Sequence, residues 1–148
     1  MKLLLDGMLG RLAKWLRILG YDTAYFPDLD DHQLVRLARA EGRILVTGDR
    51  ELARRRGLTC LLIVSDDLEE QIQQVISALQ LETGLAFSRC PVCNTPLQDV
   101  EKPAVKDRVP PYVFQTQEHF SLCPECDRIY WRGTHWANIR SQVSGCDL

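Results

Sequence analysis

The chain has 148 residues, a formal net charge of −2 and 45% hydrophobic residues, values that suit one ordinary domain or a small domain joined to a metal-binding module. This charge balance excludes a protein that holds nucleic acid through bulk positive charge alone. No apolar stretch approaches the roughly 18 residues of a membrane-spanning helix, and the apolar run at the amino terminus ends at Asp6. We therefore expect a cytoplasmic protein with no secretory signal and no membrane partner.

The first half of the chain alternates short aliphatic runs with segments of helical periodicity, a pattern typical of a parallel sheet flanked by helices. The predicted strands are residues 3–5, 23–26, 43–47 and 60–64. The predicted helices are residues 9–19, a stretch from 31 that ends near Gly42, and residues 49–56 and 67–79. We expect a three-layer α/β/α domain over residues 1–82.

Acidic residues follow every predicted strand. They are Asp6 after the first strand, Asp30 and Asp31 after the second, Asp49 after the third, and Asp66 and Asp67 after the fourth. Because ligands of open α/β sheets bind beyond the carboxyl ends of the strands, we expect these side chains to share one rim. Carboxylates that lie close together repel one another unless a hard cation such as Mg²⁺ or Mn²⁺ holds them. The alternative is that Asp31, Asp49 and Asp67 are helix N-caps, a role that Asp favours.

Basic residues recur on the first predicted helix. Arg11, Lys14 and Arg17 are spaced by three residues, which places them on one helical face. Such a face binds phosphate groups, or it is an ordinary solvated surface. Trp15 lies on the same helix, where it either stacks on a base or belongs to the core. Core packing is the favoured interpretation, because Leu12, Leu16 and Leu19 surround Trp15 in the helical pattern.

Two Cys-Pro-x-Cys pairs mark the second half of the chain. They supply Cys90, Cys93, Cys123 and Cys126. Each pair turns two sulfurs toward one metal, and Zn²⁺ takes four thiolates tetrahedrally at roughly 2.3 Å. The 29 residues between Cys93 and Cys123 predict a ribbon whose two knuckles are joined by a long hairpin or loop. A disulfide framework is the disfavoured alternative in a reducing compartment.

The zinc module is predicted to span residues 88–148, including a carboxyl-terminal tail. Its aliphatic residues are too few for a core without metal. Aromatic residues alternate with arginines in this segment; they are Tyr112, Phe114, Phe120, Tyr130, Trp131 and Trp136. At least half of these aromatics are expected to form a small core, and the others to contact RNA bases or a protein partner.

Six segments carry a family resemblance. They are LDGMLGRLAKWLRILGYDT at 5–23, the Asp30-Asp31 pair, RILVTGD at 43–49, SRCPVCN at 88–94, CPEC at 123–126 and IYWRGTH at 129–135. In this order they resemble the Mut-seven C-terminal ribonuclease family, a branch of the PIN-like nuclease fold. The resemblance implies a PIN-like domain fused to a zinc ribbon, with metal-dependent hydrolysis of RNA.

The resemblance also assigns roles to residues. It implies Asp6, Asp31 and Asp49 as catalytic acids, with Asp30 able to replace its neighbour and the fourth acid left open between Asp66 and Asp67. Gly48 stands where the family tends to have Arg, so that the phosphate-binding cation is either missing or supplied by Arg50.

Two functions remain open. The favoured one is a ribonuclease that uses Mg²⁺ or Mn²⁺ at Asp6, Asp31 and Asp49, binds RNA through Arg11, Lys14, Arg17 and Arg50, and carries structural zinc. The other is a non-catalytic RNA-binding or adaptor protein that docks to a processing or ribosomal complex through its ribbon. The oligomeric state is open in both.

Overall fold

The computed structural model describes residues 1–55, 57–81 and 88–131. Its first sheet has four parallel strands in the order β2-β1-β3-β4. The strands are β1 (Lys2–Leu5), β2 (Asp22–Tyr25), β3 (Ile44–Thr47) and β4 (Cys60–Leu62). Each predicted strand is confirmed, with ends that differ by one or two residues. The described helices are α1 (Gly10–Ile18), α2 (Asp31–Glu41), α3 (Arg50–Ala53) and α4 (Leu68–Leu79). None of these helices is long and apolar enough to cross a membrane.

The sheet is buried on both faces. Leu3 and Leu5 of β1 pack with α1 and α4, whereas Leu4, which points the other way, packs with α2 and α3. All three leucines are fully buried, and burial of one such side chain contributes about 2 kcal/mol. This two-sided packing explains why the strands read as continuous apolar runs rather than alternating ones. Trp15 packs against the core, as its favoured interpretation predicted.

Helix α3 is shorter than predicted. It ends at Ala53, after a single turn in which Leu52 is the buried residue. The prediction ran to residue 56, which lies outside the described part of the chain. Arg54 and Arg55 have good helix propensity, but propensity without a second buried residue does not extend α3 past Ala53.

The second sheet is antiparallel and belongs to the cysteine-rich half. Its strands are β5 (Gln98–Val100), β6 (Phe120–Leu122) and β7 (Ile129–Trp131), in that order. A 3₁₀ turn at Lys102–Val105 and helix α5 (Pro111–Thr116) fill the connection between β5 and β6. The predicted long hairpin or loop is therefore a small helical insertion, because Val105, Val109 and Val113 turn inward against Phe120.

Three of the six aromatic residues named for this module, Phe114, Phe120 and Trp131, belong to its small core, as predicted for at least half of them. Phe120 and Trp131 meet edge to face with ring centroids 6.4 Å apart, and Phe114 packs on the same core. Tyr112 is 71% exposed. The predicted contribution of Trp136 falls outside the described residues.

Side chains tie the first cysteine knuckle to strand β2, the outermost strand on one side of the parallel sheet. The guanidinium of Arg17 donates to the carbonyl oxygens of Thr23, Pro91 and Val92 at 2.8, 3.0 and 3.1 Å. The backbone N–H of Thr23 donates to Asn94 Oδ1 at 2.9 Å. We call this set the junction. It joins the two sheets through hydrogen bonds to backbone atoms.

Asp22 completes the junction. It accepts hydrogen bonds from Asn94 Nδ2 at 2.7 Å and from Arg43 Nη1 at 2.8 Å. Burial alone would raise the pKa of Asp22, but the hydrogen bonds from Arg43 and Asn94 hold that pKa below its usual value. The ionised form of Asp22 is therefore favoured in the folded protein.

The Asp22 carboxylate predicts acid sensitivity. The pKa of Asp22 is lower in the folded chain than in the unfolded chain, where an Asp carboxyl has a pKa of about 3.9. The contribution of Asp22 to the free energy of unfolding is therefore complete above that value, and it is lost as the pH falls through the folded pKa. We expect wild type to lose more free energy of unfolding between neutral pH and about pH 3 than Asp22→Asn does. Urea titration at each pH measures this difference.

Asp99→Asn is the matched control, because Asp99 is exposed on β5. Its acid dependence should follow that of wild type. Equal acid dependence in all three proteins would contradict the role given to Asp22.

Gly42 ends α2 in a left-handed conformation, with φ of +64°. A side chain there has free space but an unfavourable backbone, which costs roughly 1 kcal/mol. We predict that Gly42→Ala lowers the free energy of unfolding by about that amount, measured by chemical denaturation. Gly48→Ala is the control, since Gly48 also has free space and lacks the positive φ; a loss of equal size there would refute the backbone explanation.

Candidate active site and metal centre

Asp6 lies directly after β1 and is only 6% exposed. Its Oδ1 accepts a hydrogen bond from the N–H of Met8 at 3.0 Å. Its Oδ2 accepts from the N–H of Gly48 at 3.1 Å and from the hydroxyl of Thr47. The N–H of Asp6 itself donates to the carbonyl of Val46 at 3.2 Å. Asp6 therefore fastens the end of β1 to the end of β3.

Thr47 is the fully buried partner in this arrangement. Its hydroxyl donates to Asp6 and accepts a hydrogen bond from the N–H of Asp49 at 3.0 Å. The Thr47 hydroxyl thus holds the carboxylate of Asp6 and orients the backbone of Asp49. The sequence prediction missed this role. A threonine at the end of a buried aliphatic strand, two residues before an acid, is the signal that indicates it.

The position of Asp6 and Thr47 follows from the strand order. The chain passes from β1 to β2 on one side of β1, and β3 lies on the other side. Connections that leave in opposite directions open a crevice at the carboxyl ends of β1 and β3, which is where open α/β sheets bind ligands. The most buried acid of the rim stands at this switch point.

The other acids of the rim are exposed and serve mainly as helix caps. Asp49 Oδ1 accepts from the N–H groups of Glu51 and Leu52 at 2.9 and 3.3 Å, at the start of α3. Asp67 caps α4 by accepting from the N–H of Glu70 at 3.0 Å. The capping alternative is thus confirmed for Asp49 and Asp67.

The cap of α2 is Asp30, and the prediction that Asp31 stands in the cap position is wrong. Asp30 and Gln33 exchange side-chain-to-backbone hydrogen bonds of 2.8 and 2.9 Å, which form a capping box. Asp31 is the first residue inside the helix and is exposed. Its carboxylate makes no hydrogen bond to another described residue.

The acids share the carboxyl rim, but their oxygens do not form a tight cluster. Among the described residues, the four cysteines are the only set of three or more His, Cys, Asp or Glu whose ligand atoms all lie within 4.8 Å of one another. An all-oxygen donor set of Asp6, Asp31 and Asp49 fits Mg²⁺ or Mn²⁺ in ligand type.

A cleft of about 320 Å³ opens beside Asp6. It is lined by Met8, Leu9, Gly48, Arg50, Leu62, Ile63, Val64, Ser65, Asp66 and Gln71. Two predicted site residues, Arg50 and Asp66, meet here. Asp67 is not among the lining residues and is engaged as a cap.

The predicted basic face of α1 is divided by the structure. Arg11 and Lys14 are exposed. Arg17 lies near the other end of the helix and binds Thr23 at the start of β2 and the first cysteine knuckle. The structure therefore does not bring Arg17 to the rim, because its donors are directed to backbone carbonyls at the amino ends of the strands.

The four cysteines form the metal centre. Cys90 and Cys126 have sulfurs 3.6 Å apart, and Cys93 and Cys123 have sulfurs 3.2 Å apart. Four sulfurs around one zinc ion stand roughly 3.8 Å apart, whereas a disulfide bond is about 2.05 Å long. The cysteines are free thiols arranged for a metal, and the disulfide alternative is excluded for these pairs.

The environment of the four thiols opposes their simultaneous ionisation, although it favours the ionised form of Cys93. Burial raises the pKa of Cys123 to about 12. Burial would also raise the pKa of Cys93, but its hydrogen bonds with Thr95 and Cys123 outweigh burial and lower it to about 6. Burial and the neighbouring Cys90 raise the pKa of Tyr130, whose hydroxyl lies 3.0 Å from Cys90 Sγ. A divalent metal compensates the four negative charges that ligation requires.

A parallel α/β sheet with a buried carboxylate at its switch point, next to a four-cysteine ribbon, defines a two-part metal-binding α/β protein. The chain matches the Mut7-C RNAse domain over residues 1–143 and belongs to that family. This confirms the resemblance and places the chain in a nuclease family.

A human protein called exonuclease mut-7 homolog is 33% identical to the chain over 97 residues. The match covers 60% of this chain and 11% of the human protein, so the chain corresponds to a small part of that relative. No solved structure matches the chain significantly.

The metal centre predicts the effect of removing one ligand. We expect wild type to bind about one zinc ion per chain, and Cys123→Ser to lose most of it together with the tryptophan fluorescence of the folded ribbon. Elemental analysis after gel filtration measures the metal. Cys60→Ser is the control, since Cys60 lies on β4 outside the cluster. Full zinc content in Cys123→Ser would refute the assignment.

Proposed function

We propose that the protein is a metal-dependent ribonuclease that hydrolyses RNA phosphodiester bonds at the carboxyl rim of its parallel sheet. The observation that carries the proposal is Asp6, an almost fully buried carboxylate at the switch point, held by Thr47 and Gly48. Burial of a carboxylate costs free energy. A neutral polar side chain would accept the same hydrogen bonds at a lower cost, so a purely structural role does not explain the acid at this position. Family membership gives the chemistry its class.

The residues that would hold the catalytic ion are Asp6, Asp31 and Asp49, with Asp30 as a further ligand. A bound Mg²⁺ or Mn²⁺ supplies a water of lowered pKa and screens charge on the phosphate oxygens. Asp31 makes no hydrogen bond to a described residue, and Asp49 uses only Oδ1 in its cap, so both retain oxygens for a cation.

The protein itself supplies position and charge. Thr47 and the N–H of Met8 fix both oxygens of Asp6, so this carboxylate does not rotate away when substrate arrives. Arg50 in the cleft and the exposed Arg11 and Lys14 on α1 provide cations for the RNA backbone. Such contacts position the RNA without reading its sequence.

The ribbon would hold RNA or a protein partner beside the catalytic domain. Its exposed Tyr112 offers a stacking surface, and the junction fixes its first knuckle to the domain that carries the acids. Within this proposal the zinc is structural, since four thiolates complete a tetrahedral shell. The cytoplasmic location remains part of the proposal.

A non-catalytic RNA-binding adaptor is the second candidate. The observation that favours it is that the carboxylate oxygens of the rim are not gathered, while Asp30, Asp49 and Asp67 all cap helices. An adaptor would need those acids only as caps.

Cleavage of an end-labelled, partly single-stranded RNA with Mn²⁺ or Mg²⁺ distinguishes the two candidates. We predict that Asp6→Asn and Asp49→Asn reduce the cleavage rate by at least about a hundredfold, the order expected when charge stabilisation at a reacting centre is lost. Asn remains a good cap, so Asp49→Asn separates the two roles of this residue. RNA affinity and zinc content should be unchanged.

Asp99→Asn on the ribbon serves as the charge-matched control and should cleave like wild type. If wild type binds RNA and cleaves none of several RNAs with either metal, the adaptor candidate replaces the nuclease. If Asp6→Asn and Asp49→Asn cleave at the wild-type rate, the acid rim is not the site.

A further inference from the structure

The cleft beside Asp6 has the size of a small-molecule site. Its volume of about 320 Å³ is at the lower end of the range for ligand pockets, which is roughly 300–1,000 Å³. Gly48 belongs both to the cleft and to the acid site, because its N–H donates to Asp6 Oδ2 at 3.1 Å. Apart from the two neighbouring residues of the chain, no described heavy atom lies within 4 Å of the place where a Gly48 side chain would begin. The cleft is therefore open above Gly48, the residue that joins it to the acid site.

Two apolar side chains in the lining are unusually exposed. Met8 is 86% exposed and Val64 is 77% exposed. Their backbones are held in place, since the N–H of Met8 donates to Asp6 and the N–H of Val64 donates to Gln74 Oε1 at 3.2 Å. Single exposed apolar residues are common, but two fixed ones that line the same cleft provide an apolar surface for a ligand.

The polar lining adds one cation and one anion. Arg50 and Asp66 both belong to the lining of the cleft, and neither side chain is paired with another described residue. A guanidinium donates to phosphate oxygens, and a carboxylate accepts hydrogen bonds from N–H groups. Ser65 and Gln71 are already engaged, because Gln71 Nε2 donates to the Ser65 carbonyl at 2.8 Å and the Ser65 hydroxyl contacts Glu70.

We infer that this cleft binds one unpaired nucleotide of RNA. The base packs against Met8 and Val64, an N–H of the base edge donates to Asp66, and the phosphate lies against Arg50. A stacked base inside a duplex cannot present its face to such a cleft, so the site selects unpaired RNA next to the acid rim. The inference rests on the proposed function and adds a substrate class to it.

Binding of two RNAs tests the base contact directly. One is a fluorescently labelled single-stranded octamer, and the other is the same octamer with its central nucleotides lacking bases. Fluorescence anisotropy without added Mg²⁺ or Mn²⁺ measures the affinities. We expect wild type to bind the intact RNA about fivefold more tightly, the ratio that burial of a modest apolar area gives. In Val64→Ala the ratio should fall toward one.

Val92→Ala is the matched control, because Val92 is also an exposed valine, at 53%, but lies in the first cysteine knuckle. It should keep the wild-type ratio. Arg50→Gln should lower the affinity for both RNAs by the same factor, because it removes a phosphate contact and leaves the base contact intact.

An unchanged ratio in Val64→Ala would overturn the cleft as the base site. If wild type cleaves RNA but binds both octamers equally, the nuclease stands and the nucleotide subsite falls. If wild type neither binds nor cleaves, both proposals fall.

Discussion

The hydrogen bond between Asp6 and Thr47 is the constraint on which the carboxyl rim depends. A carboxylate that is 6% exposed must find donors inside the protein, and leaving one such group unsatisfied costs roughly 1–3 kcal/mol. Two of the three donors to Asp6, Thr47 and Gly48, lie at the end of β3, so hydrogen bonding of this one carboxylate also fixes the ends of two neighbouring strands. The same requirement keeps Gly48 close to Asp6 and leaves the space above Gly48 open. The geometry of the acid site and the pairing of the strands are therefore not separable at this point of the fold.

Much of the parallel domain could be predicted from the sequence. Buried strands appear as continuous aliphatic runs, and helices with one buried face appear as apolar residues repeated at helical spacing. Local details were harder where two residues compete for one role. Asp30 and Asp31 are both good caps, and only the reciprocal bond with Gln33 decides between them. The sequence placed Arg17 with Arg11 and Lys14 on one face of α1, but helical spacing does not predict which part of the protein lies next to that face. Its neighbour is the knuckle around Pro91, far away in sequence.

The two halves of the chain are stabilised by different means. The parallel domain buries leucines on both faces of its sheet, whereas the ribbon combines a small core around Phe120 with four converging sulfurs. The position of the ribbon against the parallel domain is set by a few hydrogen bonds that involve Arg17 and Asn94. A metal held by the four cysteines would shape the knuckle that presents Asn94, so the order of the ribbon and its placement against the parallel domain are physically linked.

The contacts at Thr23 have a consequence for association of the chain with itself. A strand at the border of a sheet exposes unpaired backbone groups and is a template for adding another strand. Here the N–H of Thr23 is taken by Asn94 and its carbonyl by Arg17, both from outside the sheet. The knuckle thereby blocks edge-to-edge pairing at β2, as a covering loop does in other proteins. A protein that lost its metal would lose this protection along with its ribbon, and exposed β2 would become a nucleus for aggregation.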